Sequence, residues 1–395
     1  MTNNQNDDAI GMDVETFGIF IEQLRKYVRE RLVPSEDLLE SDGEIPEEIL
    51  SEMKEMGLFG LTTPLEYGGS EMSVAQYIKT IMELSWAAPA FRSILTMNTG
   101  MVASALKNFG TSEQKSKWLP RLAAGDVCSF ALTEPGSGSD SAGLKTRAKK
   151  TNEGYVLNGT KRYITNAPFA DLVLVMARTS EENLPKNQHI SAFLVPTNLS
   201  GVTIGSPDKK MGQEGSQIAD VILEDVNVPF DALLGGTEGQ GFRTAMSSLN
   251  TGRLSVAAAA VGYAKRILDC GLQYSLEREA FGEPISNFQL IQAMLADSQT
   301  EIYAAQCMLE DASRRVDAGE DVIVKAAATK MFASEMCARI ADRVVQIHGG
   351  AGYLREYKAE RFLRDSRLYK IYEGTTQILQ LVIAKRTLRN HGSHS

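Results

Sequence analysis

The sequence has few cysteines and histidines and lacks the motifs by which many enzymes are recognised. Its four cysteines, Cys128, Cys270, Cys307 and Cys337, lie far apart and form no C-x-x-C pair. We therefore expect reduced thiols in a cytoplasmic protein. With four histidines, no H-E-x-x-H motif and no clustered Cys/His set, no metal site is expected. The absence of G-x-S-x-G, Walker A and G-x-G-x-x-G motifs argues against the common hydrolase, NTPase and Rossmann classes.

Long apolar runs and an excess of basic residues are absent too. No apolar stretch approaches the roughly 18–20 residues that span a bilayer, so no membrane span is expected. The polar, acidic start of the chain has the character of neither a signal peptide nor a transit peptide. The formal net charge of −9, with basic residues scattered among acids, argues against a nucleic-acid partner. A phosphate-bearing small ligand remains possible, because it needs only a local group of amides and cations.

The periodicity of the sequence changes twice along the chain. At 395 residues the chain is long enough for two or three domains. Helical spacing of apolar residues dominates at first, short β-branched runs separated by Gly, Pro and Asn follow, and long Ala-rich helical patterns then return. We therefore expect a mainly α-helical protein with a middle β-domain, divided into residues 1–125, 126–236 and 237–395.

Two local signals lie within these segments. Thr111, with Gln114 three residues later, predicts a capping box at the start of a helix. Asn158-Gly159, between two apolar runs, predicts the type I′ turn of a β-hairpin.

Several ordered motifs carry a resemblance to a known family. The stretch "FALTEPGSGSD" follows a strand pattern with a loop rich in hydroxyls, which suits a flat polar ligand. Together with "NGTKRYITNA", "LNTGRLSVAAAAVG", "REAFGEPISNFQLIQAMLAD", "QIHGGAGY" and "IYEGTTQI", it resembles the acyl-CoA dehydrogenase family. These blocks occur in family order, and the resemblance covers nearly the whole chain.

The resemblance implies a three-domain fold and a cofactor. It implies an N-terminal helical domain, a β-barrel-like middle domain and a C-terminal four-helix bundle, in a homotetramer. FAD would lie between the middle domain and the bundle, with part of its pocket supplied by a neighbouring subunit. The acceptor of the electrons would be an electron-transfer flavoprotein.

The resemblance also places residues around FAD. Arg278 would bind the pyrophosphate, because its planar guanidinium can bind phosphate through two hydrogen bonds. Tyr163 stands where the family more often has Trp, and Ala280 replaces a residue that is commonly polar. The full set of implied FAD contacts is Phe130, Leu132, Thr133, Gly138, Ser139, Tyr163, Ile164, Thr165, Arg278, Phe281, Gln289, Gln346, Gly349, Gly350, Thr375 and Gln377.

The same resemblance identifies Glu373 as the catalytic base, which takes the α-proton of an acyl-CoA thioester while flavin N5 takes the β-hydride. Some relatives carry the base immediately before the arginine of the "LNTGR" block, but that position is Gly252 here. The expected substrate-binding residues are Ser139, Asn250, Arg253, Gly374 and Arg92. Asn250 is an Asp in several relatives.

The acyl chain is left open between two alternatives. Arg92, in "FRS", matches the arginine that binds the distal carboxylate in glutaryl-CoA dehydrogenases. It could equally cap a helix or form a surface ion pair, and the substrate would then be a plain short-chain acyl-CoA. Ser85 stands where the decarboxylating glutaryl enzymes have an acid, so decarboxylation is in doubt.

Two other classes compete with a dehydrogenase. An acyl-CoA oxidase would be expected to carry an extra C-terminal domain. A flavin- or CoA-binding family member without catalysis would be expected to lose Glu373 or the "TEP" loop, and both are present.

Overall fold

The computed structural model describes residues 11–180 and 185–392. Within these ranges, no helix is both long and apolar enough to cross a membrane. The elements follow the expected order of helices, strands and helices, joined by short 3₁₀ turns.

The N-terminal region is helical. Asp13 caps the first helix by accepting a 2.9 Å hydrogen bond from the Thr16 N–H. The capping box of Thr111 and Gln114 forms with both of its hydrogen bonds, which confirms that prediction. The helices are α1 (Val14–Tyr27), extended by a π-helical turn (Val28–Leu32), α2 (Glu36–Asp42), α3 (Glu47–Glu55), α4 (Val74–Leu84), α5 (Pro89–Thr96), a π-helical turn (Met97–Val102), α6 (Ala103–Phe109) and α7 (Ser112–Ala124).

The middle region forms a seven-stranded sheet. The strands are β1 (Cys128–Ala131), β2 (Arg147–Lys150), β3 (Gly154–Thr165), β4 (Leu172–Arg178), β5 (Ile190–Pro196), β6 (Val202–Ile204) and β7 (Ile218–Pro229). They lie in the order β1-β4-β2-β3-β7-β6, with β5 antiparallel to β4. β1 and β4 are parallel, and β3 pairs antiparallel with β7 over its length.

The prediction of a hairpin turn at Asn158-Gly159 is wrong. Both residues lie inside β3, where the register with β7 shifts by a β-bulge between Leu157 and Gly159. Gly159 has a φ of +150°, and a Cβ there would come within 2.5 Å of the Thr146 hydroxyl. The glycine therefore permits a bulge and a close approach. The chain reverses earlier, where Thr151 N–H donates to the Gly154 carbonyl at 2.9 Å.

The C-terminal region contains the longest helices. Helices α8, α9, α10 and α12 pack together, and the fully buried Ala257–Ala260 segment of α8 allows close contact. The elements are α8 (Gly241–Glu277), β8 (Glu279–Ala280), β9 (Glu283–Pro284), α9 (Gln289–Asp317), α10 (Ile323–His348), α11 (Ala359–Ser366) and α12 (Thr376–Gly392).

A buried ion network joins the N-terminal and C-terminal regions. Glu36 in α2 is fully buried and binds Arg266 of α8 at 2.8 Å and Arg361 of α11 at 2.6 Å. Since a buried carboxylate is costly unless it is paired, this network fixes α2 against the bundle. Asp365, also in α11, accepts from Tyr263 at 2.7 Å and from the backbone N–H of Gln213. The loop after β6 is thereby anchored to the bundle.

Candidate active site

Glu373 lies in a short loop with unusual backbone geometry. The loop follows the 3₁₀ turn Arg367–Lys370 and precedes α12. Glu373 has a φ of +55°, and Gly374 has a φ of +96°. A left-handed conformation costs a residue with a side chain roughly 1–2 kcal/mol. Such conformations persist where surrounding contacts impose them, as they do in functional sites.

The Glu373 carboxylate is enclosed even though the residue as a whole is half-buried. Its Oε2 atom is shielded from solvent and has no hydrogen-bond partner among residues 11–180 and 185–392. A Cβ built at Gly252 would lie 2.7 Å from Oε2 and 3.1 Å from Met101 Sδ. The carboxylate therefore occupies the space that the missing Gly252 side chain leaves beside α8.

Burial raises the pKa of Glu373 to about 7, because the charged form loses its hydration. Three cations oppose this rise, in the order Arg253, Lys330 and Arg92. A carboxylate is suited to accept a proton when its pKa lies near neutrality and one of its oxygens accepts no hydrogen bond.

Arg92 is buried beside this carboxylate. It lies in α5 and is only 2% exposed. Its Nη2 donates a 2.9 Å hydrogen bond to the Tyr372 hydroxyl, while its Nε finds no partner in the described part of the chain. The structure therefore contradicts both the surface ion pair and the exposed helix cap as roles for Arg92.

The other expected substrate residues divide between the site and the surface. Arg253 is 7% exposed, and its Nη1 donates to Asn250 Oδ1 at 3.0 Å. Gly374 adjoins Glu373. Ser139 lies in an exposed loop after β1.

The expected flavin residues of the sheet lie on two segments that the structure brings together. The Arg162 N–H donates to the Thr133 carbonyl at 2.9 Å, and the Ser129 hydroxyl donates to the Thr165 carbonyl at 2.7 Å. Phe130 and Thr133 are half-buried, while Leu132 and Ile164 are buried. Tyr163 is 56% exposed at a φ of +59°, so its ring is available to a ligand. Gly138 lies in the same exposed loop as Ser139.

A buried ion pair that the sequence did not reveal supports these two segments. Lys161 Nζ and Glu134 Oε1 are 2.7 Å apart, and Lys161 is fully buried. Burial lowers the pKa of Lys161 to about 8 against the opposing effect of Glu134. Strand alternation could not have revealed this pair, because the register of β3 against β7 shifts between Lys161 and Ile164 and leaves Lys161 buried and Tyr163 exposed.

The remaining expected FAD residues lie on other elements, most of them beyond the C-terminal end of α8. Arg278 follows α8, 25 residues beyond Arg253, which is about 37 Å at 1.5 Å per helical residue. Arg278, Gln289, Gln346, Gly349 and Gly350 are exposed, and Phe281 is 98% exposed. At the start of α12, Thr375 Oγ1 accepts from the Ile378 N–H at 3.2 Å, and Gln377 is exposed.

Comparison with family models identifies the class of protein. The models of the N-terminal, middle and C-terminal domains of acyl-CoA dehydrogenase match residues 15–126, 129–226 and 239–388. The chain therefore belongs to the acyl-CoA dehydrogenase family, whose members are FAD-dependent oxidoreductases that act on acyl-CoA.

Individual relatives match over nearly the whole chain. The probable acyl-CoA dehydrogenase YngJ of Bacillus subtilis is 42% identical over 93% of this chain and 97% of its own length. The caffeyl-CoA reductase-Etf complex subunit CarC of Acetobacterium woodii is 39% identical over 89% of this chain and 93% of its own.

Solved structures share the fold. Butyryl-CoA dehydrogenase from Megasphaera elsdenii gives a TM-score of 0.90 at 34% identity and covers 98% of this chain and 100% of its own. A glutaryl-CoA dehydrogenase from Mycobacterium smegmatis in complex with FADH2 gives a TM-score of 0.88 at 30% identity, and the match covers 97% of this chain and 96% of that structure's chain.

The chain's own residues fit FAD. Tyr163 offers an exposed aromatic ring to the flat isoalloxazine. Arg278 forms no ion pair within the described ranges and is free to bind phosphate.

Proposed function

We propose that this protein oxidises a short-chain acyl-CoA to the trans-2-enoyl-CoA, with Glu373 as the catalytic base. One observation carries this proposal: the Glu373 carboxylate is enclosed and has an unpaired Oε2 and a pKa of about 7. A structural carboxylate in such surroundings would be expected to have hydrogen-bond partners, as Glu36 and Asp365 do.

Several groups at and around Glu373 would each contribute to removal of the α-proton. Bound FAD supplies the acceptor for the β-hydride. Glu373 Oε2 accepts the α-proton, and Gly252 leaves it space to do so. The Glu373 N–H donates to no group in the described ranges, so it can bind the thioester oxygen as that oxygen gains charge. Arg253, Lys330 and Arg92 favour the ionised base before the reaction.

The cofactor pocket is proposed to be shared between subunits of a homotetramer. Two groups of FAD residues, represented by Tyr163 and Arg278, lie on the middle sheet and beyond the C-terminal end of α8, and we propose that they meet across a subunit interface. The almost fully exposed Phe281 supports a neighbour there. Domain boundaries at residues 125/126 and 236/237 are part of the same proposal. So is an electron-transfer flavoprotein as acceptor, which the name of the Etf-complex relative supports.

The test is anaerobic mixing of the holoprotein with butyryl-CoA while the flavin absorbance is followed. We expect wild type to bleach and Glu373→Gln to bleach more slowly by a factor of at least about 10³, because an amide cannot accept the α-proton. Glu310→Gln, an acid of α9 outside the site, is the matched control. Rapid bleaching of Glu373→Gln would refute the role of the base. If wild type bleaches with none of a series of acyl-CoA thioesters, a non-catalytic binding protein is the better explanation.

A second candidate is a dehydrogenase of dicarboxylyl thioesters such as glutaryl-CoA. The observation that favours it is the buried Arg92, whose guanidinium lacks a carboxylate partner in the described ranges. A distal carboxylate on the substrate would complete this pairing with a charge-assisted bond. Ser85 donates its hydroxyl to the Ile81 carbonyl at 2.7 Å and supplies no acid, so we expect oxidation without decarboxylation.

The two candidates are separated by Arg92→Met, which keeps the bulk and removes the charge. For a dicarboxylyl enzyme we expect kcat/KM to fall about 10²-fold or more with glutaryl-CoA and little with butyryl-CoA. If wild type instead prefers butyryl-CoA, the role of Arg92 is to hold Tyr372 and not to bind a distal carboxylate.

A further inference from the structure

The loop that carries Glu373 is held by a buried lysine, whose hydrogen bond to the loop backbone has no part in the reaction proposed above. Lys330 lies in α10 and is fully buried. Its Nζ donates a 2.8 Å hydrogen bond to the backbone carbonyl of Gly374, the residue directly after Glu373.

This contact fixes an unfavourable backbone. Glu373 and Gly374 both have positive φ angles, of +55° and +96°. The Gly374 carbonyl would otherwise be free to rotate with its peptide plane, and the preceding φ and ψ angles would relax with it. A bond to a buried ammonium is charge-assisted and stronger than one to a neutral donor.

The identity of the side chain also suggests a role beyond packing. The ammonium is withdrawn from water, yet its hydrogen-bond partner is a neutral carbonyl and not a carboxylate. The nearby acid Glu335 is engaged by Lys370 at 2.6 Å and by the Thr376 hydroxyl at 2.7 Å. An uncharged side chain of similar length would fill this space at lower cost in desolvation.

We propose that Lys330 is a positioning residue for the catalytic loop, whose ammonium holds the Gly374 carbonyl and so orients the Glu373 carboxylate and favours its ionised form. This inference rests on the proposed function of Glu373. It assigns to α10 a direct part in the geometry of a base that lies on a different element.

The electrostatic part of the proposal involves every charged group around the loop. Glu373 faces Arg92 from α5, Arg253 from α8 and Lys330 from α10, with Tyr77 and Tyr372 also close enough to interact. Lys330 itself is influenced by Glu373, Arg253 and Glu335. Removing the ammonium takes away one of the three cations that favour the ionised carboxylate of Glu373. The acid limb of the pH profile, along which the rate of flavin reduction rises as Glu373 ionises, should therefore move to higher pH.

The experiment compares Lys330→Met and Lys330→Arg with Lys325→Met, an exposed lysine of the same helix that pairs with Asp311. We expect Lys330→Met to reduce the rate of flavin bleaching about tenfold or more, with a smaller change in KM, and to raise the pH of the acid limb. Lys330→Arg should keep the acid limb near that of wild type, and Lys325→Met should resemble wild type. A crystal structure of Lys330→Met should show changed φ angles at Glu373 and Gly374.

Three outcomes would overturn the proposal. One is a Lys330→Met variant with the wild-type acid limb and unchanged loop dihedral angles. Another is an equal loss of FAD content and thermal stability in Lys330→Met and Lys330→Arg, which would make the lysine structural. The third is retained bleaching by Glu373→Gln, which refutes the proposed function itself. If Glu373→Gln is inactive and Lys330→Met behaves like wild type, only the inference about Lys330 fails.

Discussion

Gly252→Ala should separate activity from stability, because the atoms closest to the added methyl group are those of the candidate base. Its Cβ would lie 2.7 Å from Glu373 Oε2, whereas ordinary van der Waals contact begins at 3.4 Å. The carboxylate must therefore retreat by about 0.7 Å, which is 3.4 minus 2.7. Since the displaced atom ends a flexible side chain, the shift costs little free energy.

The expected loss of activity is large by comparison. Displacing a reacting group by about 1 Å can reduce a rate on the order of 10²-fold, so we expect flavin reduction to slow between about tenfold and a hundredfold. Stability should change by less than about 1 kcal/mol, because Ala favours a helix over Gly by about that amount and offsets the close approach to Met101 Sδ.

The assay is anaerobic stopped-flow bleaching of the flavin, with thermal unfolding measured on the same samples. Gly18→Ala is the control, since it is also a helical glycine and a Cβ there meets nothing within 4 Å. A Gly252→Ala variant that reduces its flavin at the wild-type rate would refute the placement of Glu373 as the base. A fall in the unfolding midpoint of more than about 5 °C would show that the methyl group disturbs α8 instead.

Further predictions concern pH and the buried ion pair. The rate of flavin reduction should rise with pH through about 7, where Glu373 ionises, and a plateau that already begins at pH 5 would contradict this. The folded pKa of about 7 exceeds the usual 4.5, so wild type should lose stability relative to Glu373→Gln as pH rises from 4.5 through 7. If the unfolding midpoints of wild type and Glu373→Gln differ by the same amount at pH 5 and at pH 8.5, this expectation is wrong. Lys161→Met should lower the free energy of unfolding by about 3–5 kcal/mol, because the buried Glu134 carboxylate keeps its hydrogen bonds from the Lys145 and Thr146 N–H groups but loses its counter-ion. Lys161→Met/Glu134→Gln should recover part of this loss, and an unchanged midpoint of urea unfolding in Lys161→Met would contradict the expectation.

Local sequence patterns were sufficient for the elements and insufficient for one turn. The capping box at Thr111 and the apolar strands β4 and β5 depend on neighbours a few residues apart, so the sequence predicts them. Asn158-Gly159 has the composition of a hairpin turn, but its conformation is decided by β7, more than 60 residues away. Tertiary pairing overrides local turn preference there.

The candidate site was predictable by residue type and not by environment. The resemblance identified Glu373 and left Arg92 open between a substrate-binding and a surface role, but its contact with Tyr372, 280 positions away, could not be predicted from local pattern. Lys330 was missed for the same reason, since a lysine in an Ala-rich helical pattern is usually exposed.

The loop of Glu373 is held from all three regions at once. Arg92 from the N-terminal helices donates to Tyr372, Gln213 from the loop after β6 also reaches Tyr372, and Lys330 from the bundle binds Gly374. Gln213 is itself fixed through its side chain to the Asp365 carbonyl at 3.0 Å. Because each contact joins segments distant in sequence, a strained backbone at Glu373 can exist only once the three regions have packed together. The geometry of the base is thus a property of the assembled chain, and changes at the contacts between regions should alter catalysis before they alter the fold of any one region.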